Sequence, residues 1–67
     1  MTNTELLESI IKTSGLKYNK IADCLGISRS TLYNKVQNKV EFSASEIYKL
    51  SSLLNIDIKD LPNIFFN

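Results

Sequence analysis

The stretch KIADCLGISRSTLYNK, residues 20–35, decides how this chain is read. Ile21, Ala22 and Leu25 recur at helical spacing, Gly26 follows, and Ile27 leads into the hydroxyl of Ser28. A helix that ends on glycine commonly closes with that residue in the left-handed conformation, so the pattern predicts a short second helix stopped at Gly26. Ser28 is a good N-cap, and a third helix is predicted from it through about Gln37, with Leu32 and Val36 on the inner face. The run from Ser28 to Gln37 contains no acid. A polar, acid-free helix placed directly after a glycine corner therefore needs an explanation.

The flanking segments read as helices too. Thr2 and Glu5 stand at capping-box spacing, and Leu6, Leu7, Ile10 and Ile11 repeat before Gly15, which predicts a first helix over about residues 3–13. Ser43 with Glu46 forms a second capping-box pattern, with Phe42 and Ile47 placed as a hydrophobic staple and an apolar stripe of Ile47, Leu50, Leu53 and Leu54 behind it. Asp57 is expected to cap a short fifth turn, Ile58 to Leu61, stopped at Pro62. No segment alternates long enough to argue for a strand, so the expected class is all-α, with five short helices in one domain over residues 1–67.

Composition narrows the chemistry. One cysteine and no histidine remove the internal disulfide, the usual zinc-ligand sets and the Cys-His or Ser-His nucleophile pairs, so neither an enzyme nor a cofactor is expected. Cys24, between inward-reading Ala22 and Leu25, reads as a small hydrophobe. The apolar runs fall far short of the roughly 18 residues that span a bilayer, and no signal segment opens the chain, so a cytoplasmic location is expected. Net charge is +1, but it is unevenly spread. Residues 17–39 hold Lys17, Lys20, Arg29, Lys35 and Lys39 against Asp23 alone, a local +4, whereas residues 1–16 carry −1 and residues 40–67 carry −2.

Two helices joined by a short glycine-bearing turn make a helix-turn-helix unit, here about residues 18–37, and a small residue such as Ala22 lets the pair cross closely. On IADCLGISRSTLYNKV, EFSASEIYKLSSLLNI and DIKDLPNIFF, nearly the whole chain resembles the phage lambda-repressor and Cro class of helix-turn-helix regulators. The resemblance implies a third helix whose N-terminal part reads base edges in the major groove. It carries base contact onto Ser28, Arg29, Ser30, Tyr33, Asn34 and Gln37, and phosphate contact onto Lys17, Tyr18, Asn19, Asn38 and Lys39. Arginine suits a guanine edge, and asparagine or glutamine an adenine edge. The implied partner is a double-stranded operator bound by a homodimer, with no membrane and no small-molecule ligand.

Two positions depart from that family's pattern. Lys17 stands where a Ser or Thr cap is usual, and Lys35 stands where the third helix commonly has an apolar residue. Val36 is therefore expected to take over the packing, with the third helix slightly rotated. Simpler readings stay beside these. Arg29, Lys35 and Lys39 also fit a solvated face, and Tyr33 a core aromatic. Phe65 and Phe66 are adjacent and cannot both point inward, which makes one of them a candidate subunit contact. The resemblance fits a complete minimal regulator or the N-terminal domain of a longer repressor. The rival function is a protein-interaction module, such as an antirepressor or phage adaptor, for which the acidic C-terminal third argues.

Overall fold

A computed structural model describes residues 1–67. Five α-helices follow one another: α1 (Thr4–Ser14), α2 (Tyr18–Leu25), α3 (Arg29–Val36), α4 (Ala44–Leu54) and α5 (Leu61–Phe65), with a 3-10 turn at Ile58–Asp60 before the last. The class is all-α and there is no strand. No helix is long and apolar enough to cross a membrane.

Local chemistry sets most of the boundaries. Gly26 has φ 75°, a conformation that costs any other L-residue strain, and its turn lets the Ile27 N–H donate to the Ala22 carbonyl at 3.1 Å. Only residues 26–28 then separate α2 from α3, a helix-turn-helix pair. The Ser28 hydroxyl caps α3, accepting from the Thr31 N–H at 3.1 Å. Ser43 and Glu46 form a complete capping box at the start of α4, each side chain accepting the other residue's N–H.

Two expectations at the chain ends do not hold. Thr2 and Glu5 form no capping box: α1 is capped by Asn3, whose side chain accepts from the Leu6 N–H. Thr2 is buried instead, because residues 1–3 lie along the C-terminal segment, with the Asn3 N–H donating to Ile64 and the Asn67 N–H to Met1. Pro62 does not stop a helix; it lies in the first turn of α5, where its missing N–H leaves no bond unmade. The turn capped by Asp57 is accordingly the 3-10 segment Ile58–Asp60, and the chain stays helical through Phe65.

All five helices supply the core. Leu7 and Ile11 from α1, Ile21, Ala22 and Leu25 from α2, Leu32 and Val36 from α3, Ile47, Leu50 and Leu54 from α4, and Ile64 and Phe65 from α5 are all buried, as is Phe42. The Phe42 and Phe65 rings meet edge to face, 5.5 Å between centroids. Helix α2 packs against both α3 and α4. Cys24 is exposed, contrary to its expected packing role, because the helical turn that points Ile21, Ala22 and Leu25 inward carries residue 24 outward. Of the terminal aromatics Phe65 is inside and Phe66 is 65% exposed.

Val36 is fully buried and Lys35 turns to the flank. There its ammonium donates to Glu46 Oε1 at 2.6 Å and to the Glu41 carbonyl at 3.3 Å. This is the one ion pair in the chain, with side chains only 11% and 14% exposed. Burial alone would push the Glu46 carboxyl up, but the hydrogen bonds from Lys35 and the Ser43 N–H outweigh it and hold the group below its ordinary value of 4.5.

Folding lowers this pKa, so the contribution is complete above pH 4.5 and is lost as pH falls through the lower folded value. Glu46→Ala removes half the capping box and leaves Lys35 unpaired, and should cost about 2–3 kcal/mol in urea unfolding at pH 7. Glu46→Gln keeps a capping acceptor and should cost less. The gap between wild type and Glu46→Gln should narrow as the pH is lowered below 4.5; a gap independent of pH would remove the ion pair as its source.

Candidate nucleic-acid interface

Inward Leu32 and Val36 fix the roll of α3. Opposite them, Arg29, Ser30 and Tyr33 are exposed, and Asn34 and Gln37 half-buried. Residues three and four apart share a helix face, so these five form one outward stripe. Ser28 caps the stripe's upper end, and its hydroxyl is used twice, accepting from the Thr31 N–H and donating to Thr31 Oγ1 at 2.8 Å. Capping is therefore the observed work of Ser28.

Tyr33 is not a core aromatic; it is 49% exposed. Its ring is braced by that of Tyr18, the first residue of α2, with centroids 6.4 Å apart. The Tyr18 phenol is pushed above its ordinary value of 10.0 by burial first, then by the Glu8 carboxylate and Tyr33, against the lowering effect of Arg29. It keeps its proton at neutral pH and is a hydrogen-bond donor. Tyr18, Arg29 and Tyr33 thus gather at one place on the surface.

The other expected phosphate contacts divide. Lys17, Asn19 and Lys39 are exposed. Lys17 is the extended residue before α2 and makes no side-chain cap, so the first-turn N–H groups of α2 lack a side-chain acceptor. Since the only ion pair is Lys35–Glu46, Lys17, Lys20, Arg29 and Lys39 are unpaired within the chain. Asn38 is committed elsewhere: in the left-handed conformation at φ 66°, it accepts the Thr2 N–H on Oδ1 at 3.0 Å. That bond ties the end of α3 to the start of the chain.

Gln37 also has an internal partner. Its Nε2 donates to Glu8 Oε2 on α1 at 2.8 Å, which puts an acid at the edge of a stripe that has none of its own. Sequence patterns did not reveal Glu8, since it is 29 residues away and only the docking of α1 against the end of α3 joins them. The arrangement offers arginine, tyrosine and amide groups on the outward face of α3, with exposed, unpaired cations in the segments before and after it.

Residues 2–67 match the family model described as Protein of unknown function (DUF739). No curated protein matches the chain.

Asn38→Ala loses a hydrogen bond, about 1 kcal/mol, and puts a Cβ residue without a local polar contact into the left-handed region, about 1 kcal/mol more. Asn38→Gly removes only the first. Urea unfolding should therefore rank wild type above Asn38→Gly and Asn38→Gly above Asn38→Ala; equal stability of all three would show that the Thr2 bond and the backbone conformation contribute nothing.

Proposed function

This chain belongs to the DUF739 family, whose function is unknown, and we propose that it is a sequence-specific double-stranded DNA-binding transcription regulator of the phage repressor or Cro kind. One observation carries the reading: α3 is anchored by Leu32 and Val36 and turns Arg29, Ser30, Tyr33 and Asn34 outward, while the exposed, unpaired cations Lys17 and Lys20 precede it in the chain and Lys39 follows it. An α-helix fits the major groove, where Arg29 matches the O6 and N7 acceptors of guanine and Asn34 an adenine edge. Tyr33 brings an apolar ring for a thymine methyl and a hydroxyl for a polar edge. Lys17, the Tyr18 hydroxyl and the first turn of α2 suit one phosphate strand, and Lys39 the other. These contacts position and read; no bond is made or broken.

An eight-residue reading helix spans only a few base pairs, and operators of this kind are bound by dimers on half-sites about one helical turn apart. Tyr48, Ile58 and Phe66 are exposed around an apolar groove formed by α4 and the C-terminal segment. Lys49, Lys59, Asp57 and Asp60 lie beside these residues in sequence, a mixture of signs that suits an identical second copy. The same apolar face is the observation that favours the other reading, a module that binds a different protein through this surface and leaves DNA alone.

Duplexes titrated with the chain at several salt concentrations separate the two. A DNA binder loses affinity linearly in log–log form, and no binding at about 50 mM salt would overturn the leading reading. Lys39→Ala should weaken all sequences alike and flatten the slope by about one. Arg29→Ala should instead remove about 1–3 kcal/mol of discrimination at one base pair and much less non-specific affinity; equal loss on both would make Arg29 a phosphate contact.

A further inference from the structure

The geometry points to Tyr18 as the residue that fixes the Tyr33 ring for base reading, an inference that rests on the DNA-binding reading above. Tyr33 stands on the outward face of α3 and is 49% exposed. Its one aromatic neighbour is Tyr18, with ring centroids 6.4 Å apart and planes tilted by 48°. Aromatic rings attract one another over about 4.5–7 Å, so this is a working contact. Tyr18 can serve as a brace because it is itself held: it is half-buried at the start of α2 and packs against the core. The two tyrosines belong to different helices and meet because the Gly26 corner turns α3 against α2.

A tyrosine on a helix surface has two open χ1 rotamers, since the third drives the ring into the preceding turn. With no neighbour it divides its time between them and must be ordered when a duplex arrives, which weakens every contact the ring makes. Contact with Tyr18 favours one rotamer beforehand, and in that rotamer Tyr33 remains open to solvent. A ring held in one place distinguishes a base pair from its alternatives more sharply than a ring that shifts to suit each of them. Tyr33 is thus the reader and Tyr18 the positioning residue. The work belongs to the Tyr18 ring and is separate from any contact of its hydroxyl with phosphate, so the two can be removed independently.

The test begins with selection of bound duplexes from a random pool by the wild type and Tyr33→Ala; the operator position whose preference disappears in Tyr33→Ala is the one Tyr33 reads. Affinities are then measured on duplexes that differ only there, for the wild type, Tyr18→Phe and Tyr18→Leu, each first shown to retain the wild-type helical circular dichroism. The wild type should prefer its best base pair by about tenfold. Tyr18→Phe keeps the ring and should keep that preference, while the loss of its hydroxyl weakens all the duplexes alike. Tyr18→Leu keeps apolar bulk without a ring and should lower the preference by about threefold or more, with other positions unchanged. Undiminished preference in Tyr18→Leu, equal loss in Tyr18→Phe, or a loss spread over all positions would overturn the assignment to Tyr18. A measurement on the free wild type stands whether or not Tyr18→Leu folds: three-bond couplings should show one dominant χ1 rotamer for Tyr33, and averaged couplings would overturn the proposal. Failure of the wild type to enrich any duplex would overturn the DNA-binding reading itself, and this inference with it; enrichment with no position altered by Tyr33→Ala would overturn this inference only.

Discussion

Leu32 and Val36 have no solvent exposure, and their burial sets the orientation of everything else on α3. Eight residues are too few for a helix to persist by itself in water, so α3 exists because packing holds it. Two inward side chains four residues apart leave one rotation about the helix axis that satisfies both. That rotation turns Arg29, Ser30 and Tyr33 to solvent and sends Lys35 to the flank, where its long side chain reaches Glu46. The ion pair is thus a consequence of how the core seats α3, and it joins α3 to the cap of α4. Glu46 serves both ends of that joint, accepting from the Ser43 N–H at 2.8 Å and from Lys35 at 2.6 Å with the same oxygen.

The far end of α3 is held in a different way. A helix leaves its last carbonyls and its exit residue without intrahelical partners. Here Thr4 donates to the Val36 carbonyl, and two side-chain bonds, the Thr2 N–H to Asn38 and Gln37 to Glu8, fasten the exit residues to α1 and the start of the chain. A short helix tied at its start by Ser28 and at its finish by three contacts from one neighbour has little freedom to roll or fray. Rigidity of that kind lowers the cost of ordering side chains on binding, so it matters for recognition as well as for stability.

What could be read from the sequence and what could not divides along chain separation. The Ser28 cap, the Ser43–Glu46 box and the Gly26 corner each depend on residues within five positions of one another, and the local pattern predicts all three correctly. The packing of Val36 in place of Lys35 follows from the cost of burying a lone ammonium. Thr2, by contrast, has the spacing of a cap but is buried where its neighbours Met1 and Asn3 hydrogen-bond with residues more than 60 positions away, which no local pattern contains. Asn38 and Gln37 look like free polar groups beside a basic helix until α1 docks and engages both. Within the candidate interface, the stripe was therefore legible from helical spacing, whereas the internal partners of its lower end were not.

Electrostatics connects the proposed interface to the rest of the surface. Of the five cations between residues 17 and 39, only Lys35 is neutralised inside the chain, so most of that segment's +4 faces outward while the acids of residues 40–67 belong to other elements. Lys17, Lys20, Arg29 and Lys39 would together release about four counterions per protomer on a duplex, a contribution that fades quickly as salt rises. On the proposed reading, a single copy with so few cations would hold DNA weakly at physiological ionic strength. The attraction is too small to substitute for correct base contacts, and a wrong sequence is correspondingly easy to leave. Selectivity on this reading comes from the fixed polar groups of α3, and useful affinity from a second copy joined through an apolar surface whose strength salt does not diminish. Phe66, Ile58 and Tyr48 lie outside the acid-free segment, and on the proposed reading that separation would let one face recognise a half-site while another joins the halves.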